Sequence, residues 1–195
     1  MSNETREKIL KVACNMFNER GYERVTMREI AECSGIAVGN VTYHFHKKAD
    51  IASEIMRGAF VDAMPAAPIK SLGDLTDQFD RMLETLTRYA FYFIDDTFIE
   101  EQTSHNNEIR NRILDGFKTL VEMGLFSTAF DSGTQVQILD MLLLTHVTWM
   151  RFSLRSSSSP SKTELLRGHW AVLKPYLTEK GCRDYEDIAT QPPLA

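Results

Sequence analysis

Residues 26–48 read TMREIAECSGIAVGNVTYHFHKK, and the fold turns on this stretch. Thr26 followed three residues later by Glu29 is a capping box: the N-cap hydroxyl accepts the N3 amide, and the N3 carboxylate reaches back to the N-cap amide. It opens a helix whose Ile30 and Ala31 face inward. Ser34-Gly35 ends that helix after about two turns. A second short helix follows over 38–45. Two short helices joined by a tight glycine-containing turn, after a longer first helix, make a helix-turn-helix. Ile30, Ala31, Ile36, Val41 and Phe45 form its inner face, with Ala31 small enough for close approach. The second helix of such a pair presents its N-terminal and outer residues to the major groove of DNA. Here those residues are Val38, Gly39, Asn40, Thr42, Tyr43 and His44.

Outward from this core, helical periodicity continues. Upstream, Ile9, Val12, Ala13, Met16 and Phe17 recur at helical spacing, and Gly21 stops that helix. Downstream, a fourth helix over 47–64 ends at Pro65 and Pro68. Leu72, Leu75, Phe79, Leu83, Leu86, Ala90 and Phe93 form one apolar stripe, and Ile109, Ile113, Phe117 and Leu120 another that stops near Gly124. Residues 136–154 are apolar on most faces, which predicts burial on more than one side. Residues 156–159 read as a flexible loop. Ser161 and Glu164 cap a last helix that Pro175 kinks or ends, and a loosely ordered tail is expected after Gly181. No strand pattern or internal repeat stands out. The expected class is all-α, with a helix-turn-helix domain over 1–48 and a helical-bundle regulatory and dimerisation domain over 49–195.

Composition sets further bounds. The 195 residues are 43% hydrophobic, enough for a core. No run of about 18 apolar residues exists, and the first residues lack the pattern of a signal peptide. Three cysteines, Cys14, Cys33 and Cys182, are odd in number and far apart, which speaks against a disulfide framework. The expectation is a protein of the reducing cytoplasm with no membrane association. Net charge is −5, yet residues 1–48 carry eight Lys and Arg against six Asp and Glu, while the rest carries 14 against 21. A mildly basic head suits a surface that faces phosphate.

The head resembles the TetR family of bacterial regulators. Ile9-Leu10, Ala13, Phe17 and Gly21-Tyr22 match the family's opening pattern; Thr26, Ile30-Ala31 and Gly35-Ile36 its middle; Gly39-Asn40-Val41, Tyr43-His44-Phe45, Lys48 and Ile51 its close. The likeness covers about residues 6–55 and is identified on spacing as well as residue type. It implies that Thr26, Tyr43, His44 and Lys48 hold phosphates, which set register but carry no sequence information. Base reading then falls to Val38, Asn40 and Thr42, with Gly39 allowing close approach. Arg28 and Lys47 complete the DNA-facing set. Two positions depart from the pattern. Ala37 stands where the family places Ser or Thr as N-cap, which predicts a compensating contact, and Thr42 stands where Tyr is common.

The resemblance further implies a homodimer built from helices near 135–155 and 161–178, and a small-molecule effector that releases a repressor from a palindromic operator. Apolar residues offered for the dimer are Leu139, Leu142, Leu143, Val147, Trp149, Met150, Leu166, Trp170 and Leu173. Effector candidates are Met82, Arg88, Tyr89, Tyr92, Phe126, His146, Trp149 and Met150. The aromatic group Tyr89, Phe91, Tyr92, Phe93 and Phe98 reads either as cavity lining or as core, and His146 on an apolar helix calls for a partner. The fourth helix is the expected lever between effector and DNA. Cys33 reads as a small buried packing residue rather than a redox sensor. His44 and His46, two apart on a helix, point to different faces, so no metal site is expected there. No phosphate-loop, dinucleotide, zinc-protease or nucleophile-elbow motif appears, so neither an enzyme nor a cofactor is expected. Two rivals stay open: an activator or architectural DNA-binding protein without an effector, and a helical interaction module that no longer binds DNA.

Overall fold

The computed structural model describes residues 2–65, 67–153 and 160–194. Its helices are α1 (Ser2–Arg20), α2 (Met27–Ser34), α3 (Val38–His44), α4 (Lys48–Ala63), α5 (Leu72–Arg88), α6 (Ala90–Ile94), α7 (Ile99–Glu122), α8 (Ser132–Ser153), α9 (Lys162–Leu173) and α10 (Glu179–Ala189). Among the described residues the only β-pairing is an isolated bridge between Phe126 and Leu177. The chain divides into two compact units. One comprises Met1–Asp62 with Arg88–Gln102, the other Ala63–Thr87 with Thr103–Ala195.

In the first unit, α1 buries Ile9, Ala13, Met16 and Phe17. It stops at Gly21, whose φ of 82° is a left-handed conformation that costs glycine little. The core then gathers Ile30 and Ala31 from α2, Val41 from α3 and Phe45 just after it. Ile51, Ala52, Ile55, Met56 and Ala59 of α4 join the same cluster. Fully burying one such aliphatic or aromatic side chain is worth roughly 1.5–3 kcal/mol. The fourth helix is therefore part of the head's core as far as Ala59, and the compact unit runs on to Asp62.

The long stripe read through Phe93 does not form one helix. Chain direction changes at Tyr89 (φ −119°, ψ 40°), and Asn18 of α1 satisfies the groups that the break frees. Its Nδ2 donates to Arg88 O at 2.9 Å, and its Oδ1 accepts from Phe91 N–H at 2.9 Å. Past the break, Phe91 packs on Phe17 (centroids 5.1 Å), and Phe98 on Tyr22 (5.0 Å). These aromatics, with the buried Tyr92, are core of the head rather than lining of a cavity.

In the second unit the stripe of α5 (Leu72, Leu75, Phe79, Leu83) and that of α7 (Ile109, Ile113, Phe117, Leu120) are buried as their periodicity requires. Gly124 (φ 71°) ends the latter. The capping box of Ser161 and Glu164 opens α9, and Trp170 donates from Nε1 to Thr76 Oγ1 at 3.1 Å. The predicted loop 156–159 lies outside the described residues. The tail after Gly181 is not loose. Thr178 caps α10 by accepting Gly181 N–H and donates to Gly124 O at 2.6 Å. A Cβ on Gly181 would lie 2.1 Å from Leu125 O, so only glycine permits this close approach. Tyr185 stacks on Trp170 at 4.9 Å, and Leu194 is buried.

Within a single chain α8 is buried on one side. Ile138, Leu139, Leu142, His146 and Met150 face the unit's interior, whereas Met141, Leu144 and Phe152 are 63%, 69% and 54% exposed. Spacings of three, eight and eleven residues put those three on one outer face.

His146 of α8 meets His169 of α9 with ring centroids 4.6 Å apart, and Phe79 lies against both rings. Neither imidazole finds a hydrogen-bond partner among the described residues. Burial pushes His169 down to about 4 and His146 well below its usual value, the neighbouring His169 adding to the latter. An unfolded chain, with imidazoles near 6.5, therefore binds protons that the folded unit refuses. Stability should be intact above that pH and fall as pH drops from about 6.5 to about 4, by at most about 1.4 kcal/mol per pH unit per histidine. Both tryptophans, Trp149 and Trp170, lie in this unit and report its unfolding. Urea midpoints followed by their fluorescence should drop between pH 7.5 and 5, and drop less in His169→Phe. Equal drops in both proteins would assign the acid sensitivity to other groups.

Candidate nucleic-acid interface

The helix-turn-helix residues come together in the first unit on α2, α3 and the start of α4. Gly35 (φ 63°) closes α2, its N–H reaching Glu32 O at 3.1 Å. Ile36 N–H then donates to Ala31 O at 3.0 Å. This turn sets α3 off in a new direction. Ala37 supplies no side-chain cap to α3, and no described contact takes its place. What holds the helix is burial of Val41 and Phe45, at 0% and 3% exposure. Its outer residues stay open: Val38, Gly39 and Asn40 are exposed, Tyr43 is 78% exposed, and Thr42 and His44 are half-buried.

Several candidate residues are already engaged within the head. The Thr26 hydroxyl accepts Glu29 N–H at 3.3 Å and donates to the Glu29 carboxylate at 2.7 Å. Arg20 pairs with the same carboxylate, and this pairing, then Thr26, holds Glu29 down to about 2. Arg28 pairs with Glu32 one turn on, both exposed. Thr42 Oγ1 donates into its own helix, to Gly39 O at 3.0 Å and Val38 O at 3.2 Å. Lys48 Nζ donates to Tyr22 O at 2.8 Å and Glu23 O at 3.3 Å, with its charge 4.1 Å from the centre of the Tyr22 ring. Lys47 and Asn40 are exposed and carry no such side-chain bond among the described residues. The Tyr43 ring meets that of His44 edge-on, centroids 5.4 Å apart, and is 78% exposed.

The effector candidates fall in both units. Arg88, Tyr89 and Tyr92 belong to the first unit, and Met82, Phe126, His146, Trp149 and Met150 to the second. Tyr89 donates its hydroxyl to Asp62 at 2.6 Å, and burial followed by that bond raises its pKa. Arg88 pairs with the same Asp62 and is largely exposed. Phe126 is packed ring on ring against Phe130 at 4.7 Å. Trp149 Nε1 donates to Pro160 O at 2.6 Å. Met82 and Met150 are buried side chains of the unit's interior. His146 meets the His169 ring without a hydrogen bond to it, a contact that periodicity alone did not single out because it exists only where α8 meets α9. Cys33 is exposed, contrary to expectation: Ile30, Ala31 and Ser34 take the inner face of α2, which leaves Cys33 outside. Among the described residues no group of three or more His, Cys, Asp or Glu is arranged to hold a metal. No helix of the described residues is long and apolar enough to cross a membrane.

A short helix anchored by two buried side chains, turned through a left-handed glycine from a capped partner, defines a helix-turn-helix protein with an all-helical remainder. Residues 9–55, about a quarter of the chain, match the model of the family described as bacterial regulatory proteins, tetR family. The HTH-type transcriptional repressor KstR2 of Mycobacterium tuberculosis (strain H37Rv) is 40% identical over 60 residues, which are 31% of this chain and 30% of that protein. The chain thus matches under a third of this relative's length. A TetR-family transcriptional regulator from Marinobacter aquaeolei VT8 shares the fold over 93% of this chain and 95% of its own, with TM-score 0.74 and 24% identity. SmeT, the repressor of the Stenotrophomonas maltophilia multidrug efflux pump SmeDEF, matches with TM-score 0.69 and 17% identity over 89% of this chain and 91% of its own. SmeT is also known in complex with triclosan.

The engagement of Lys48 separates two neighbouring lysines. Lys48→Ala should cost about 1 kcal/mol of stability, because two carbonyls in the turn after α1 lose their donor. Lys47→Ala should leave stability unchanged. Urea titration of the two variants checks this, and equal midpoints would remove the structural role assigned to Lys48.

Proposed function

We propose that this chain is a DNA-binding transcriptional regulator acting as a homodimer on a two-fold symmetric operator. The observation that carries the proposal is the open outer face of α3, with Val38, Gly39, Asn40 and Tyr43 exposed while Val41 and Phe45 anchor the helix from behind. Tyr43, Lys47 and the third donor position of Lys48 are the phosphate contacts. Thr26 is a weaker one than the resemblance implies, since its proton is already given to Glu29. Repression is the sign named for KstR2 and SmeT, and it is proposed here by that likeness.

The dimer face is assigned to the outer sides of α8 and α9. Met141, Leu144 and Phe152 of α8 and Val172 of α9 are large apolar side chains left exposed within the second unit. Leu139, Leu142, Met150, Leu166, Trp170 and Leu173 are buried in the unit's own core and are withdrawn from that role. A two-fold axis makes such a face meet its own copy.

Effector control is the second part of the proposal. The His146–His169 pair supports it, since buried polar groups without partners are costly and call for an explanation. SmeT has been found with triclosan, and a small apolar molecule with a polar group is the ligand class proposed here. Close packing of Phe117, Phe126 and Phe130 favours the rival without an effector at that end of the unit.

Full-length protein should bind duplex DNA with an affinity that falls linearly with salt on logarithmic axes. Lys47→Ala should lower that slope by about one unit without altering sequence preference. Footprints should show two related half-sites, about 34–36 Å apart or a multiple of that. Salt-independent or absent binding would refute the proposal.

Leu144→Asp should give folded monomers with weakened operator binding. Sedimentation and circular dichroism together check this. Unchanged dimers in both Leu144→Asp and Met141→Asp would move the interface elsewhere.

A further inference from the structure

The seven residues of α3, VGNVTYH, include no Lys, Arg, Gln, Asp or Glu. Reading guanine in the major groove calls for a donor fork aimed at O6 and N7, and reading cytosine calls for an acceptor at its amino group. Neither kind of long side chain is available from α3. Thr42 would be the natural polar reader, but its hydroxyl bonds Gly39 O and Val38 O. With the oxygen turned into its own helix, the group that Thr42 presents outward is its methyl. Val38 lies one turn before it, on the same face, with 42% of its surface open. Between them Gly39 adds no side chain, and nothing stands within 4 Å of where its Cβ would be. The outer ridge of α3 is therefore made of methyl groups at positions i and i+4.

Of the groups that bases offer in the major groove, only the C5 methyl of thymine is apolar. We propose that Val38 and Thr42 read thymine methyls, so that each half-site is A·T-rich where α3 lies. Asn40, exposed and without a side-chain bond among the described residues, suits the N6 and N7 of adenine, which fits the same composition. Arg28, the nearest guanidinium on α2, is paired with Glu32 and lies off α3. The proposal rests on the DNA-binding function above and specifies its sequence class.

Deoxyuridine tests this directly, since it removes the thymine methyl and leaves every hydrogen-bonding group in place. The full chain is used to select duplexes from a random pool, and each thymine of the selected half-site is then replaced singly by deoxyuridine. At least two replacements should weaken binding by about fourfold each, the effect expected for one buried methyl. Thr42→Ser removes the protein methyl but keeps the hydroxyl and its bonds to the helix. It should bind the thymine duplex about fourfold more weakly and become indifferent to deoxyuridine at one of those positions, a coupling that a merely structural role would not produce. Val38→Ala should do the same at the other. The proposal is overturned if every deoxyuridine is tolerated while salt-dependent binding persists. It is equally overturned by a selected half-site of guanines whose binding is lost in Arg28→Ala. Both outcomes leave the DNA-binding function standing. Absence of salt-dependent binding to any duplex would instead sink that function, and this inference with it.

Discussion

A helix of seven residues is too short to be stable alone in water. The first unit exists largely to meet that constraint for α3. With no side-chain cap at Ala37, the helix depends on Val41 and Phe45 entering a core made by α1, α2 and α4. Inward burial and outward exposure are then two sides of one fact. The two residues that hold α3 face inward, and the rest of its short length is left free to meet a ligand.

The same economy governs the polar residues around it. Thr26 and Glu29 satisfy each other, Arg20 adds a charge to that pair, and Lys48 ties α4 to the turn after α1. Groups that a sequence match would assign to DNA thus first serve to fix the geometry of the head. On the function proposed above, contacts left for phosphate are few and peripheral, and those left for bases are largely apolar. Specificity of this kind comes from shape and methyl contact, and it needs the rigid placement that the internal bonds supply.

Two features mark the second unit. One is the outer face of α8, on which Met141, Leu144 and Phe152 are exposed. The other is the histidine pair at the meeting of α8 and α9, whose neutral state burial enforces. Its polar atoms raise the cost of the closed interior, so the pair is a natural weak point for acid or for a ligand that supplies partners.

Much of this was legible from residues alone. The capping box at Thr26, the left-handed Gly35, the inner face of Ile30, Ala31, Val41 and Phe45, and the all-helical class follow from local rules of spacing and backbone freedom, which act within a few residues. Tertiary structure decided the rest. It broke the stripe at Tyr89 because Asn18, some 70 residues earlier in sequence, takes up the freed backbone groups. It drew α4 into the head, ordered α10 against Gly124 and Leu125, and chose Met141, Leu144 and Phe152 as the outer face of a helix apolar nearly all round. It also brought His169 to His146. Periodicity tells which residues share a face of a helix. Which face is covered, and by what, depends on groups distant in sequence, and only packing brings those together.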